Sequence, residues 1–139
     1  MGDDVSQQAH RVGRLLAEED ITVINGGGGG VMEASARGVQ SVESGRVIGI
    51  RPETDAENAN DYLDDVIVSG VGHARNLSIV LSGQAVIAVA GRYGTLSEIG
   101  LALKYDKPVF GVGTWDHDNL EFDSDLTPEQ AVTRALKLQ

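Results

Sequence analysis

The stretch ITVINGGGGGVM, residues 21–32, decides the fold. Residues 21–24 form a short run rich in β-branched side chains, which is typical of a strand, and five consecutive glycines at 26–30 follow it. Apolar residues then recur at helical spacing at Met32, Ala36 and Val39. A strand that leads through a glycine turn into a helix is the repeating unit of α/β proteins, so the stretch predicts a parallel sheet covered by helices.

The second half of the chain repeats this order. Residues 85–90 are an uninterrupted apolar run, as expected of a strand buried on both faces, and a second glycine turn at 91–94 leads into a helix predicted over 96–103. Further strands are predicted at 46–50, 66–68 and 108–112. Further helices are predicted at 5–19 with Asp3 and Asp4 as cap candidates, at 73–82, and from the capping box at 127–130 to the C-terminus. Both glycine turns therefore follow strands at their carboxyl ends, where such folds bind ligands.

The composition fits one soluble globular domain over residues 1–139, with 41% hydrophobic and 23% charged residues. A net charge of −10 argues against binding to nucleic acid or to an anionic membrane. The chain has no cysteine, no apolar run of membrane-spanning length and no leader pattern after Met1, so a cytoplasmic protein is expected. The acidic balance, with only three lysines, predicts the surface of a halophile's protein.

The glycine turns suit a phosphate group. A strand–glycine–helix junction presents free backbone N–H groups and the positive end of a helix dipole. Neither the G-x-x-x-x-G-K-[ST] pattern nor the dinucleotide pattern G-x-G-x-x-G is present, which excludes the enzymes that depend on them. A glycine run can also be a turn without a ligand, but a second such turn at the same sheet edge favours a binding site.

Two charged side chains beside the turns each have two interpretations. Arg75 lies in the first turn of its predicted helix, where a positive charge opposes the dipole. It either pairs with Glu98 or Asp64, or it holds a phosphate or carboxylate group. Residues 95–98 have the form of a capping box, in which Glu98 would reach back to a helix amide. The functional alternative is that Glu98 acts as a general acid/base or holds a ligand hydroxyl.

The segment from Ala74-Arg75-Asn76 to AGRYGTLSE at 90–98 resembles the LOG-like Rossmann superfamily, whose signature is an arginine followed by P-G-G-x-G-T-x-x-E. The earlier GGGGGVME at 26–33 is similar to that family's G-G-x-x-G-[LV]-M stretch. The resemblance implies a Rossmann-like α/β/α fold in three layers with a mainly parallel sheet. The superfamily includes phosphoribohydrolases, which cleave the N-glycosidic bond of nucleoside 5′-monophosphates, and molybdenum cofactor carrier proteins. Lysine decarboxylation, an older label for the family, is not expected.

The resemblance also implies which residues form the site. Arg75 and Glu98 match the catalytic pair of the hydrolases, and no metal ligand is implied. The residues implied to bind the ligand are Gly28, Gly29, Gly30, Val31, Met32, Arg75, Asn76, Gly91, Arg92, Tyr93, Gly94, Thr95 and Glu98.

Departures from the family pattern bear on function. Arg75-Asn76 is more like the carrier branch, since hydrolases usually have Arg-Lys there, and Ser97 stands where many hydrolases have a glutamate. Ala90 and Arg92 replace the motif's proline and second glycine. These residues favour carrier-like binding of a phosphorylated nucleotide-like or pterin ligand, with the molybdenum cofactor or a nucleoside monophosphate as candidates. A phosphoribohydrolase and a non-catalytic interaction subunit with a vestigial site are the alternatives.

The last expectation concerns the N-terminus. Family members begin with an apolar strand and a G-G-S type turn, and that strand sits in the middle of the sheet. Here Met1-Gly2-Asp3 leads directly into the first helix, so either the sequence is truncated or misassigned at its start, or the strand is absent. If the strand is absent, one wall of the ligand site is missing and an exposed edge is open to pairing with another chain. The resemblance further implies a homo-oligomer, either a dimer or a tetramer.

Overall fold

The structure is a computed structural model that describes residues 2–138. Helices and strands alternate along the chain, as the sequence predicts. The helices are α1 (Asp3–Glu18), α2 (Val31–Gln40), α3 (Arg75–Ser82), α4 (Tyr93–Lys104) and α5 (Pro128–Leu136), and the strands are β1 (Val23–Asn25), β2 (Val47–Arg51), β3 (Asp65–Val68), β4 (Val86–Val89) and β5 (Val109–Val112). A 3₁₀ turn at Gly72–Ala74 precedes α3.

The strands form two sheets, and every pairing within them is parallel. One sheet has the order β1-β2-β3, and the other consists of β4 and β5. As a result β1 and β4 each have one neighbouring strand and one open edge.

Helices cover the sheets on both faces and create the three layers. On one side of β4 and β5, Val89 and Val112 pack with residues of α1 and α5, including Val12 and Val132. On the opposite side, Ala88 and Val109 pack with residues of α3 and α4 that include Val80, Ile99 and Ala102. A third cluster joins α1 and α2 to β2 through Ala17, Ala36, Val39 and Val47.

Glycine brings α1 and α2 into backbone contact. A Cβ atom at Gly13 would lie 2.1 Å from the carbonyl oxygen of Ser35, and one at Gly38 would lie 2.0 Å from that of His10. No side chain fits at either position, so both glycines are required for this helix packing.

The starts of α1 and α3 differ from the prediction, whereas the start of α5 agrees with it. The N-cap of α1 is Gly2, and the predicted caps Asp3 and Asp4 lie in the first turn, where their charges favour the positive end of the dipole. The helix predicted from residue 73 begins at Arg75, after the 3₁₀ turn. The capping box at Thr127 is confirmed, and α5 ends at Leu136, with residue 139 outside the described part of the chain.

The predicted capping box at 95–98 is wrong. The helix α4 begins at Tyr93 with Arg92 as its N-cap, and no side chain caps it. Thr95 and Glu98 are therefore inside the helix. The local pattern matches a cap, but Gly94 adopts helical backbone geometry and lets the helix start earlier.

The burial of β4 also differs from the prediction. Only Ala88 and Val89 are buried, whereas Val86 and Ile87 are partly exposed. The reason is the open edge of this strand, which leaves its first half beside a cavity instead of a neighbouring strand.

Candidate functional site

Both glycine turns border one cavity of about 1010 Å³. Its upper part lies at the carboxyl ends of β1 and β4, and its lower part runs between these two strands towards Asp20 and Gln84. We call the upper part the glycine site; Gly26, Gly29, Arg75, Gly91, Gly94 and Glu98 border it. We call the lower part the strand slot; residues 21–25 and 85–89 form its walls.

The first glycine turn, residues 26–30, is packed on one side and open on the other. A Cβ atom at Gly26 would lie 2.8 Å from Nη2 of Arg75, and one at Gly28 would lie 2.7 Å from Nη1 of Arg51. Nothing lies within 4 Å of the corresponding position at Gly29 or Gly30. The turn therefore packs against the side chains of two arginines at Gly26 and Gly28, and it is open to solvent at Gly29 and Gly30.

The carbonyl groups of this turn accept hydrogen bonds from the last residue of β2 and from the segment that follows β2. Nη1 of Arg51 donates to the carbonyl oxygen of Gly26 at 3.1 Å. Asn60 donates its backbone N–H to Gly27 and its Nδ2 to Gly28, both at 2.9 Å. Within residues 2–138 no acceptor takes the amides of residues 28–31. The turn thus has its acceptors occupied and its donors available for an anion.

The second glycine turn, residues 91–94, is held in the same way by the segment after β5. Oγ1 of Thr114 donates to the carbonyl oxygen of Ala90 at 2.6 Å, and Nε1 of Trp115 donates to that of Arg92 at 2.9 Å. In both turns, groups at the end of the neighbouring strand or in the segment after it donate to the carbonyl oxygens.

The backbone of this second turn explains one departure from the family motif. Ala90 has a φ of 47°, which a proline ring cannot adopt because it fixes φ near −65°. Gly91 follows with a φ of 95°, and a Cβ atom there would lie 2.1 Å from Oγ1 of Thr95. A proline at position 90 is therefore incompatible with this turn, and Gly91 is required by both space and conformation.

Arg75 is the buried cation of the site. It begins α3, and only 9% of its surface is exposed. Its Nη1 donates to Oδ1 of Asn76, while its buried Nε has no hydrogen-bond partner among the described residues 2–138. None of the ion pairs found within residues 2–138 includes Arg75. Asp64, one of its suggested partners, instead accepts hydrogen bonds from Gln40 and from the backbone of Val47.

Glu98 lies in the same cavity, one and a half turns into α4. Burial raises the pKa of its carboxyl group to about 7, and the positive charge of Arg75 acts in the opposite direction. Burial likewise lowers the pKa of Arg75, and the nearby charge of Glu98 opposes that change. Near neutral pH the Glu98 carboxyl group can therefore either donate or accept a proton.

Most of the predicted site residues border the cavity. Those that do are Gly29, Val31, Met32, Arg75, Asn76, Gly91, Arg92, Gly94, Thr95 and Glu98. Three do not: Gly28 is buried against Arg51, Gly30 faces open space, and Tyr93 is 80% exposed, with its ring centroid 6.1 Å from that of Trp115.

The residues that support the two turns are not identified from the sequence; they are Arg51, Asn60, Thr114 and Trp115. The sequence places Arg51 directly after the strand predicted at 46–50, which gives no sign of its contact; in the structure it ends β2 beside the first glycine turn and is 7% exposed. It also pairs with Glu53, whose pKa is lowered mainly by that hydrogen bond. Asn60 gives no signal either, since it belongs to a loop without periodicity.

Neither a metal cluster nor a membrane helix is found in the described chain. Within residues 2–138, no three His, Cys, Asp or Glu side chains are grouped to hold a metal ion. No helix in that range combines the length and the apolar character needed to cross a membrane.

A model of the SLOG cluster4 family matches residues 1–138. The chain belongs to this family. Its fold is similar to that of the molybdenum cofactor binding protein from Rippkaea orientalis, with a TM-score of 0.88 and 34% identity over 99% of this chain and 89% of that one. The molybdenum cofactor carrier protein of Chlamydomonas reinhardtii also gives a TM-score of 0.88, at 28% identity and the same coverage. These structures confirm the Rossmann-like fold and the resemblance to the carrier branch.

A curated relative of this SLOG cluster4 protein is also known from Archaeoglobus fulgidus. It is 52% identical over 101 residues, and its function is uncharacterized. The match covers 73% of this chain, and it spans 66% of the relative's length.

Proposed function

We propose that this protein binds a phosphorylated pterin ligand of the molybdenum cofactor type in the glycine site and acts as a carrier. The observation that carries the proposal is the guanidinium of Arg75, which borders the cavity between the two turns and whose buried Nε has no hydrogen-bond partner within residues 2–138. A buried donor without a partner costs about 1–3 kcal/mol, and an anionic ligand would remove this cost. The similarity to a molybdenum cofactor binding protein and to a molybdenum cofactor carrier protein supports the same class of ligand.

Each part of the site would have a separate task. The free amides of the two turns, each at the start of a helix, would bind phosphate oxygens, and Arg75 would neutralise their charge. The Glu98 carboxyl group would hold a ring nitrogen or a hydroxyl of the ligand. Arg92 is exposed beside the open cavity, which argues against a vestigial site filled by this side chain.

Ligand titrations test this function. Purified protein would be titrated anaerobically with molybdenum cofactor released from a molybdoenzyme, and separately with AMP and inorganic phosphate, with binding followed by calorimetry. We expect saturable binding of the cofactor and at least about tenfold weaker binding by an Arg75→Gln variant, since hydrogen bonds to charged groups contribute about 1.5–3 kcal/mol. The matched control is Arg37→Gln, an exposed arginine that does not border this cavity. Equal affinities of the wild type and Arg75→Gln would contradict the proposal.

A phosphoribohydrolase is the second candidate, and the pKa of Glu98 favours it. A carboxyl group with a pKa of about 7 is suited to general acid/base catalysis at neutral pH. In this reaction Glu98 would activate water or stabilise the ribosyl transition state, and Arg75 would orient the 5′-phosphate.

Turnover separates the two functions. The protein would be incubated in high salt with a panel of nucleoside 5′-monophosphates, and chromatography would detect free base and ribose 5-phosphate. Release that disappears in a Glu98→Gln variant would establish the hydrolase and overturn the carrier. Absence of release from folded protein that binds the cofactor would support the carrier.

A further inference from the structure

We propose that a groove between α1 and α2 binds a compact anion of the phosphate class, such as a diphosphate group. The groove has a volume of about 330 Å³, and a histidine and three arginines line it: His10, Arg11, Arg14 and Arg37. We call it the basic groove. None of its lining residues borders the larger cavity, so it is separate from the glycine site and goes beyond the proposed function.

The charge of the basic groove is opposite to that of the whole chain. The sequence has 11 lysines and arginines against 21 acidic residues, yet within residues 2–138 no acidic side chain lines the groove. Its remaining lining residues, Ser6 and Gln7, are polar and uncharged. Three arginines around one groove repel one another, and an anion between them would remove that repulsion.

The packing of the two helices fixes the position of these side chains. Arg14 follows His10 by four residues and Arg11 by three, so all three border one side of α1. Arg37 comes from α2. Its neighbour Gly38 approaches α1 so closely that a Cβ atom there would lie 2.0 Å from the carbonyl oxygen of His10. The backbone contact of the helices therefore brings Arg37 beside the cations of α1.

The three arginines have donors left for a ligand. Arg11 binds Glu129 through Nε at 3.1 Å, and Arg14 binds Glu18 through Nε at 2.9 Å. Among the described residues, no acceptor binds the Nη atoms of either arginine, and Arg37 takes part in no ion pair. A guanidinium group with two free Nη atoms can bind two oxygens of one phosphate.

His10 is exposed to the positive potential of the basic groove. Burial lowers the pKa of its imidazole, and the nearby charges of Arg37 and Arg14 lower it further. The ring is therefore neutral near pH 7 and has one N–H group to donate. A bound anion would offset the two arginines and raise this pKa.

The size and the charge of the groove favour a compact anion over a macromolecule. A volume of about 330 Å³ is at the lower end of the range for small-molecule sites. Nucleic acid or an acidic protein would extend beyond the groove onto a chain whose net charge is −10. A diphosphate group supplies several negative charges and enough oxygens to meet three guanidinium groups.

Histidine signals locate the anion on the full chain. The probe is inorganic diphosphate, and the imidazole protons are followed by NMR at low ionic strength and constant pH. His10 borders the basic groove, His73 borders the larger cavity, and His117 borders neither. We expect a saturable shift of the His10 signal that exceeds those of the other two. Shifts at His73 alone, or no saturable shift at His10, would overturn the proposal.

ADP distinguishes a free diphosphate from one that belongs to a nucleotide. Equal affinities of inorganic diphosphate and ADP at the His10 signal would show that the groove recognises the phosphates alone. Tighter binding of ADP would identify a nucleotide as the ligand, and weaker binding would identify free diphosphate.

Variants test the role of the guanidinium groups. Arg37→Gln removes one charge from the groove, and Arg46→Gln is the matched control, since Arg46 is exposed, pairs with Asp65 and borders neither cavity. We expect diphosphate to bind at least about fivefold more weakly to Arg37→Gln and equally well to the control. Arg37→Lys keeps the charge but not the planar group, so a partial loss is expected. Equal losses in Arg37→Gln and Arg46→Gln would overturn the proposal.

Salt dependence separates the basic groove from the glycine site. The side chains of Arg11 and Arg14 are 47% and 50% exposed, so salt can screen them. Diphosphate binding should weaken at least about tenfold as the Debye length falls from about 30 Å at 0.01 M to about 3 Å at 1 M. Arg75→Gln should leave the His10 shift unchanged, which keeps this result independent of the proposed ligand. Loss of the shift in that variant would assign the anion to the glycine site and overturn the proposal.

Discussion

The two glycine turns occupy equivalent places in the fold but differ in burial and in how far they depend on close steric contact. Three of the five residues in the first turn are buried, and its carbonyls are bound by Arg51 and Asn60. All four residues of the second turn are exposed, and its shape depends on the close contact between Gly91 and Thr95. Polar side chains from another segment hold both turns, but the second turn depends in addition on steric fit within a few residues.

The largest expected effect is in the second turn. Gly91→Ala would force a side chain into a φ of 95° and place its Cβ atom 2.1 Å from Oγ1 of Thr95. We expect the free energy of unfolding to fall by about 3 kcal/mol or more, as measured by urea denaturation. Gly94→Ala is the matched control, since nothing lies within 4 Å of its Cβ position, and a change within about 1 kcal/mol is expected. Equal losses would show that steric fit does not distinguish the two positions.

The next prediction tests whether the two turns share one electrostatic site. Glu98 belongs to the second turn's helix, and its pKa is raised from its ordinary value of 4.5 to about 7 in the folded protein. The folded state thus favours the neutral form, and this contribution to stability is complete below pH 4.5 and lost as the pH rises through 7.

A Glu98→Gln variant keeps the neutral form at every pH. Its stability relative to the wild type should rise by about 2 kcal/mol between pH 5 and pH 8, in urea denaturation without ligand. A difference that is constant over this range would mean that the carboxyl group is not held in an apolar environment.

A smaller effect is expected where side chains hold the first turn. Asn60→Ala removes the hydrogen bond to Gly28 and the one that its Oδ1 accepts from the backbone of Tyr62. A loss of about 1–2 kcal/mol is expected in thermal unfolding. Thr114→Val is the counterpart in the second turn, where one bond to Ala90 is lost, so its effect should be smaller. The reverse order would contradict the contrast between the turns.

The smallest expected effect is a gain in stability. Ala90→Gly would relieve the cost of a φ of 47° and should stabilise the protein by up to about 1 kcal/mol, seen as a higher Tm. Ala90→Pro, which would restore the family's residue, should destabilise it instead. A lower Tm for Ala90→Gly would show that the second turn is not strained at this residue.

The sequence predicts those parts of the site that depend on local order. The positions of both glycine turns follow from apolar runs that end in glycine, and Arg75 stands out because its charge opposes the helix dipole. The support from Arg51 cannot be seen locally, because it depends on the register that places Asn25 opposite Gly49 in the sheet. For Glu98 the local pattern is misleading. Residues 95–98 have the form of a capping box, but α4 begins earlier, at Tyr93, so Glu98 lies inside the helix.

The occupied carbonyls and free amides have a consequence for ionic strength. In the proposed site, recognition by uncharged amides and one buried arginine would involve few exposed cations that salt could screen. Ligand affinity should therefore fall only slightly between dilute buffer and molar salt, unlike that of a site built from surface lysines. A protein with a charge of −10 can in this way hold an anion without attracting polyanions to its surface.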